Sequence, residues 1–371
     1  MILKNILLKN FRNHKNSSFE FSPGTTLITG ENAAGKTNLL EAIYLLASGK
    51  SLRVKGVESE MIRYGEEIAS IKAETEKSNL EIILTKGEIM GKRVSKKKYL
   101  VNGIARRASD FLGNFRAVYF GPENLEIITD SPSLRRKYLD AVLSQVDREY
   151  ARASLSYEKG LRTRNKILEK IRESEEQAGG ILDKEILENS RKKLYFWDQL
   201  LIKNGNIITS KREEYTEFLN RNLTPLTPPC FNIFYDRSAI SKERLMQYAR
   251  QEVASASTLV GPHRDDFIIK TIGNQQTSDK SDKEERDLSV YGSRGEQRLA
   301  ILWLKLGELA FIEKKTEEKP ILLLDDIFSE LDLEHRKLVF DVTSGQQTII
   351  TTADLGMVET GWLKEVKLIN L

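Results

Sequence analysis

Eight residues, Gly30-Glu-Asn-Ala-Ala-Gly-Lys-Thr37, have the spacing GxxxxGK followed by Ser or Thr, the pattern with which a backbone loop cradles phosphate oxygens. Gly30 and Gly35 let the chain wrap so that the N–H groups of Glu31, Asn32, Ala33 and Ala34 turn inward, and the helix that follows adds its positive end. In such a loop Lys36 would reach the β- and γ-phosphates, Thr37 would ligate Mg²⁺, and Asn38 would open the helix beside them. The competing reading is a chance glycine-rich turn. Its flanks speak against it: Thr26-Leu-Ile-Thr29 reads as a strand, and Asn38-Leu-Leu-Glu-Ala-Ile-Tyr-Leu-Leu46 has the period of a buried helix.

Two further groups could complete a nucleotide site. Ile321-Leu-Leu-Leu-Asp-Asp326 is an apolar run tipped by two carboxylates, as expected of a buried central strand that carries an acid to the phosphate end of a sheet. Asp325 would hold Mg²⁺, directly or through water, and Asp326 would orient or deprotonate an attacking water. Asp326 also fits a helix N-cap before Ile327-Phe-Ser-Glu-Leu-Asp332. Ser293 and Gly295, in Tyr291-Gly-Ser-Arg-Gly-Glu-Gln297, precede the apolar helix Leu299–Ile312 and offer a second anion-binding helix start. Taken singly, that stretch is equally an ordinary cap.

The elements that must position these groups divide the chain. Its 371 residues suffice for an α/β core and a second lobe, and 40% hydrophobic with 30% charged residues is a globular composition. No apolar run approaches the roughly 18 residues of a membrane span, and the first residues alternate like a strand, so a cytoplasmic location without a membrane partner is expected. Cys230 is the one cysteine, which leaves no disulfide framework or cysteine metal site. The net charge of +4 is compatible with a polyanionic partner without requiring one. Short strands are predicted at Ile2–Leu8, Ile68–Lys72, Leu80–Thr85, Tyr99–Val101, Phe267–Thr271 and Thr348–Thr352. One long helix is predicted from Ser131 to about Glu173, with Leu143, Tyr150, Tyr157 and Ile171 in a seven-residue register. A second is predicted from about Ile181 to Asn220, seamed by Leu187, Leu194, Leu201, Ile208 and Tyr215, after a turn at Glu173–Gly180. The pair reads as an antiparallel hairpin arm on the order of 50–60 Å long. Asn274–Asp287 is polar and reads as a surface loop.

In the order P-loop, Ser-x-Gly-Glu-Gln, acid-tipped strand, then Ser329-Glu-Leu-Asp332, the motifs resemble those of the ABC-type ATPases. The resemblance makes Ser293, Gly295, Glu296 and Gln297 the signature that contacts the nucleotide of a second subunit, and makes residues 329–332 the loop that crosses between subunits. Ala353 stands where transporter-type members carry a switch histidine, leaving Thr352 and Asp354 as candidates for that role. Asp326 stands where they carry Glu; one methylene shorter, it implies slow hydrolysis suited to a timed clamp.

Asn10-Phe-Arg-Asn-His14, Tyr119-Phe-Gly-Pro-Glu-Asn-Leu125, Ser131–Asp140, Gly261-Pro-His-Arg-Asp-Asp266 and the pairing of Ser-Arg-Gly-Glu-Gln with Leu-Leu-Asp-Asp narrow the likeness further. Together they span nearly the whole chain and resemble the RecF family, which belongs with the SMC-like ATPases. The implied fold is α/β: an ABC-type ATPase head, with a mixed sheet carrying the P-loop, assembled from residues 1–130 and 255–371, plus a helical arm lobe at 131–254 containing a short antiparallel coiled coil. Arg12 would lie near the nucleotide, and Phe120-Gly-Pro-Glu-Asn124 would occupy the place of the Q-loop without its glutamine. The implied activity is that of a DNA-binding ATPase, a weak one, using ATP and Mg²⁺. It would dimerise on ATP, bind single-stranded gaps or their junctions with duplex, and work with RecO and RecR to load RecA in recombinational repair and replication restart.

Gly91-Lys-Arg-Val-Ser-Lys-Lys-Lys-Tyr99 concentrates five cations that could track a phosphate backbone, although a lysine-protected sheet edge reads the same way. Arg148, Arg152, Lys159, Arg162, Arg164 and Lys166 make a basic helix, yet interspersed glutamates suit a merely solvated one. His263, Asp265 and Asp266 read as structural rather than metal-binding. Two other readings are a transporter motor subunit and an SMC-like tether. The first is disfavoured by the missing switch histidine, the helical hairpin and the wide separation of P-loop from signature; the second by the short arm.

Overall fold

A computed structural model describes residues 1–51, 58–177, 184–222, 230–272, 285–327, 336, 339, 343, 345–354, 356 and 366–371. They form two compact units, residues 1–129 with 144–146 and 288–371, and residues 130–143 with 147–287.

Among the described residues the first unit holds two large sheets and a two-stranded ribbon. One is antiparallel, ordered β2-β1-β4-β5-β8-β9, and built from β1 (Leu3–Phe11), β2 (His14–Glu20), β4 (Ile68–Thr75), β5 (Asn79–Thr85), β8 (Lys97–Val101) and β9 (Ile104–Arg106). Alternation sets its inner face: Ile6 and Leu8 of β1, Ile71 of β4 and Ile82 of β5 are fully buried, while their neighbours face outward. Between β5 and β8 the chain makes a ribbon, β6 (Glu88–Ile89) and β7 (Lys92–Arg93), whose two-residue tip, Met90-Gly91, has positive φ at both positions.

The second sheet is parallel and ordered β10-β14-β15-β3-β16, from β3 (Thr25–Thr29), β10 (Ala117–Phe120), β14 (Ile321–Asp325), β15 (Thr348–Thr352) and β16 (Lys367–Asn370). Every residue of β10, β14 and β15 is buried, and none of them shows the alternation of a half-exposed strand. Helix α1 (Lys36–Ser48) packs on this sheet, and its Leu39, Ile43 and Leu46 are fully buried. The short helices α2 (Ala108–Phe111) and α3 (Glu126–Thr129) complete the front half of the unit.

In the second unit the long helix predicted from Ser131 is two: α4 (Pro132–Val146, its last residues counted with the first unit) and α5 (Arg148–Gln177). The break is Asp147, which adopts extended backbone and accepts the amide of Tyr150 on Oδ1 at 3.0 Å, the geometry of a cap that starts a new helix. The turn predicted at Glu173 begins later, since α5 remains helical through Gln177. Helix α6 (Lys184–Asn222) runs back along α5, with Tyr150, Tyr157 and Ile171 on one side and Leu201, Ile208 and Tyr215 on the other all buried. The side chain of Leu187 lies outside the described residues.

β11 (Cys230–Asp236) then pairs antiparallel with β12 (Asp266–Ile272) over seven residues, and β13 (Arg286–Asp287) adds to β12. Helices α7 (Lys242–Gln247) and α8 (Ala249–Ser255) connect them. This ladder keeps residues 255–287 with the helical unit, past the boundary at 254 read from the sequence. Residues 274–284 of the polar stretch predicted as a surface loop lie outside the described residues, and its end, Arg286–Asp287, is strand rather than loop.

The motif Gly261–Asp266 is woven into the second unit's core. Arg212, 3% exposed, donates to Asp265 Oδ2 at 2.9 Å, Asp140 Oδ1 at 2.8 Å and the Pro262 carbonyl at 2.8 Å. Arg135 forks onto both oxygens of Asp266, at 2.6 and 2.9 Å. His263 bonds the Tyr157 hydroxyl at 2.8 Å and the Thr258 carbonyl at 2.9 Å. Arg164, one of the cations of the basic helix, is 3% exposed and held by Asp198 and Glu252. No helix among the described residues is long and apolar enough to cross a membrane.

Candidate functional site

The parallel register assembles the site. Thr29 at the end of β3 pairs with Thr352 of β15, and Thr351 pairs with Asp325 at the end of β14, so the P-loop and the acid emerge at the same edge of the sheet. Gly30 has φ +153° and Gly35 has φ +112°. A Cβ at Gly35 would stand 2.6 Å from Asn13 Nδ2 and 2.9 Å from His14 Nε2; one at Gly30 would stand 2.8 Å from the Leu371 carbonyl oxygen. Both positions need glycine for conformation and for space.

Gly35 caps α1, and Lys36 is its first residue. The Lys36 ammonium donates to the Gly30 carbonyl at 2.7 Å and the Glu31 carbonyl at 3.0 Å, so it lies across the loop it serves. Thr37 Oγ1 donates to Asp325 Oδ1 at 3.1 Å, joining two residues 288 positions apart. Those are the two groups expected to hold a metal ion.

Asp325 is 4% exposed and takes two further hydroxyls, Thr351 Oγ1 at 2.5 Å on Oδ1 and Tyr119 Oη at 2.9 Å on Oδ2. Burial, with the Asp325 and Glu123 carboxylates beside it, holds the Tyr119 phenol well above its usual range, so it stays a donor. A buried carboxylate partnered by hydroxyl groups, next to a threonine at a helix start, is the hard oxygen donor set that Mg²⁺ takes. The residues present therefore fit Mg²⁺ and a triphosphate: Thr37 and Asp325 would hold the ion, and residues 30–37 the phosphates. The bound ion would supply charge neutralisation at the phosphates.

Asp326 follows with φ +49°, its amide on both the carbonyl and Oγ1 of Thr351 at 3.2 Å. The left-handed backbone turns the chain away from β14 directly after Asp325. The helix that Asp326 would cap and the segment Ser329–Asp332 lie outside the described residues. An open cavity of about 840 Å³ is lined by Thr29, Gly30, Glu31, Asn32, Ala33, Ala34, Ala353, Leu368, Asn370 and Leu371. Of the switch candidates, Thr352 is 1% exposed and bonded to the backbone of Asp354, while Asp354 Oδ1 accepts the Gly356 amide at 2.8 Å.

Other expected site residues have structural partners. The Arg12 guanidinium forks onto Glu41 of α1 at 2.9 and 2.8 Å and reaches the Glu60 carbonyl at 3.0 Å. The two residues after it support the loop directly. Asn13 Nδ2 donates to the Ala34 carbonyl at 3.0 Å, and its Oδ1 accepts from Asn38 at 2.9 Å. His14 Nε2 lies 3.2 Å from the Gly35 carbonyl, and burial keeps its pKa below the ordinary value, so the neutral ring donates there. Asn13, His14, Tyr119 and Thr351 were not singled out by spacing. The stretches Asn10–His14 and Tyr119–Leu125 already contained three of them.

α9 (Leu288–Tyr291) leads into α10 (Arg294–Thr316), which Ser293 opens with a reciprocal capping box: its Oγ accepts the Glu296 amide at 3.2 Å, and Glu296 accepts the Ser293 amide at 2.8 Å. Gln297 is buried and donates to the Leu288 carbonyl at 2.8 Å. Gly295 faces open space, its nearest neighbour being Ser293 Oγ at 4.0 Å. None of these four residues lines the P-loop cavity.

On the ribbon, Lys86, Lys92, Arg93, Lys96 and Lys98 are exposed and Met90 is 91% exposed. Lys97 is withdrawn from this patch, bonding the Gly49 carbonyl at 2.8 Å and Glu58 at 2.5 Å; burial lowers its pKa, against the pull of Glu58.

A P-loop strand, an acid-tipped strand one strand away in the same parallel sheet and a paired-helix unit define an SMC-like ATPase head, and the family model described as RecF/RecN/SMC N terminal domain matches residues 2–369. The DNA replication and repair protein RecF of Caldanaerobacter subterraneus subsp. tengcongensis is 37% identical over 378 residues, covering 97% of this chain and 96% of that protein. RecF of Lachnoclostridium phytofermentans is 34% identical over 365 residues, covering 96% and 93%. A solved structure described as the recombination mediator protein RecF-ATP in RecFOR pathway superposes with a TM-score of 0.80 at 35% identity, covering 96% of this chain and 93% of that one. The chain belongs to the RecF family of DNA replication and repair proteins.

Proposed function

We propose that this chain is an ATP-gated DNA-binding protein of recombinational repair and replication restart. The observation that carries the proposal is the Thr37–Asp325 contact, which supports reading the P-loop hydroxyl and the strand-tip acid as one cation site beside a phosphate cradle. The solved structure of a relative that superposes over 96% of this chain is that of the recombination mediator protein RecF-ATP in RecFOR pathway, which supports this reading.

In this reading ATP and Mg²⁺ bind residues 30–38 and Asp325, and two copies close so that Ser293 and Gly295 of each meet the γ-phosphate held by the other. Only a nucleotide that binds the closed pair better than the single head can drive that closure. Asp326 orients the attacking water, and its short side chain makes hydrolysis slow, of a kind that DNA stimulates; a turnover in the hundreds per second would exclude such a timer. The DNA is a single-stranded gap or its junction with duplex, the protein partners are RecO and RecR, RecA is loaded as the outcome, and the setting is the cytoplasm.

The exposed ribbon supplies part of the DNA contact, with cations on phosphates around an apolar tip. The test is fluorescence anisotropy on gapped DNA at several salt concentrations, with ATP or ADP. Binding that needs ATP is expected. Replacing Lys92, Arg93, Lys96 and Lys98 by Gln should flatten the dependence of log K on log salt by about 3 to 4, near 0.9 per phosphate contact. Wild-type protein that ignores DNA in both nucleotides would overturn the function; an unchanged slope in the variant would overturn the ribbon's part in it.

A further inference from the structure

Helix α5 separates its charges by face. Arg148, Arg152, Lys159, Arg162, Lys166 and Lys170 are all exposed, and at about 100° per residue they fall within an arc of about 80° that otherwise holds only Leu155. Tyr150, Tyr157, Arg164, Leu168 and Ile171 lie on the opposite side of the helix and are buried. Glu149, Glu158 and Glu169 fall outside the arc, and Glu173 ends it. The glutamates interspersed along the sequence therefore leave an unbroken line of cations on one face, about 33 Å long at 1.5 Å per residue from Arg148 to Lys170.

Solvation alone does not call for this sorting. Arg148 and Arg152, Arg162 and Lys166, and Lys166 and Lys170 stand four positions apart, the spacing at which like charges destabilise a helix, and Lys159 and Arg162 stand three apart. Arg162 reaches Glu158 at 3.7 Å with both side chains largely exposed, so that pair offsets little of the repulsion. The other helix of the hairpin shows what a merely wet face looks like. At the same spacing, the exposed line of α6 runs Lys192, Phe196, Gln199, Lys203 and Asn206, two cations mixed with an aromatic ring and two amides.

We infer that the row on α5 is a binding surface for single-stranded DNA, held through its phosphates. A single strand can be drawn out along one face of a helix and meet the cations in turn. Each strand of a duplex winds away from such a line and returns only after a full turn of about 34 Å, the length of the whole row. Six cations with one leucine and no aromatic side chain offer phosphate contacts without a stacking platform, so binding there is indifferent to sequence and strongly dependent on salt. The inference deepens the proposed function by giving the unpaired strand of a gap its place on the second unit, and it rests on the reading of the chain as a DNA-binding protein.

The test is fluorescence anisotropy of labelled oligothymidylate, and of a duplex of equal length, over a series of salt concentrations with the full chain, ATP and Mg²⁺. Each lost single-strand phosphate contact removes about 0.7 from the dependence of log K on log salt, so Lys159→Gln/Arg162→Gln/Lys166→Gln/Lys170→Gln should be flatter than wild type by about 2 to 3. Its urea midpoint should stay at or above that of wild type, since the substituted side chains are exposed and repel one another. Lys159→Arg/Arg162→Lys/Lys166→Arg/Lys170→Arg keeps the charges and should keep the slope. An unchanged single-strand slope in the glutamine variant would overturn the inference and leave the row to an acidic protein partner. A loss on the duplex as large as on the single strand would overturn it as well. Wild-type protein that binds neither DNA would place the failure one level up, in the DNA-binding function itself.

Discussion

Replacing Asn13 with Ala removes the side chain that braces the P-loop from outside the motif. Asn13 gives one hydrogen bond to the Ala34 carbonyl, at 3.0 Å, and takes one from Asn38, at 2.9 Å. The side chain is exposed, so each bond contributes at the low end of the usual range, about 0.5–1 kcal/mol, or about 1–2 kcal/mol together. If ATP binding must restore the order these bonds supply, affinity should fall about 5- to 30-fold, since 1.4 kcal/mol is a factor of ten. Overall stability should change by no more than about 0.5 kcal/mol, as for other surface positions. Isothermal titration with Mg²⁺ and ATP, paired with urea unfolding, reads both quantities. Asn13→Asp sharpens the experiment: it keeps the acceptor for Asn38, loses the donor to Ala34 and adds negative charge beside the phosphates, so it should bind more weakly than the alanine variant. An ATP affinity within twofold of wild type in Asn13→Ala would refute the bracing role, as would a loss of global stability that accounts for the whole effect.

Two further outcomes concern the second unit. Arg212→Met leaves Asp265, which is fully buried, without its guanidinium and should cost about 3–5 kcal/mol in urea unfolding, the usual penalty of stranding one member of a buried pair. Burial lowers the His263 pKa from 6.5 to about 4, the Thr258 carbonyl acting against it, so the native state prefers the neutral ring. The stability this confers is complete above pH 6.5 and is lost as pH falls toward about 4, up to roughly 3 kcal/mol. Unfolding midpoints measured at pH 7.5, 5.5 and 4.5 should fall less steeply in His263→Gln than in wild type, and parallel curves would contradict it.

Legibility from sequence followed burial. β14 ends at Asp325, directly after its apolar run, because a strand buried on both faces is written as unbroken hydrophobic residues, and β15 has the predicted bounds with two isoleucines between buried threonines. β2, with exposed polar residues at most positions, and β10, four residues long, left no such trace. The heptad that joined α4 to α5 was sound as a record of burial but blind to Asp147, whose cap decides where one helix stops. At the site, the P-loop and the strand-tip acid were legible because their spacing is fixed by phosphate and metal geometry. Their supports were not: Tyr119 and Thr351 reach Asp325 from neighbouring strands, a proximity that only the strand order β10-β14-β15 creates. Lys97 looked like its neighbours in sequence, and its pairing with Glu58 and Gly49 removes it from the basic surface.

The central claim, that ATP bound between Gly30 and Asp325 drives two copies together through Ser293, is tested most directly by sedimentation with Mg²⁺ and either ATP or ADP, with and without gapped DNA. Wild type should be a dimer on DNA with ATP and a monomer with ADP, Lys36→Arg should fail to respond to nucleotide, and Ser293→Arg should bind ATP as a monomer. A Ser293→Arg protein that still dimerises with ATP, or a wild type whose assembly ignores the nucleotide, would contradict the account.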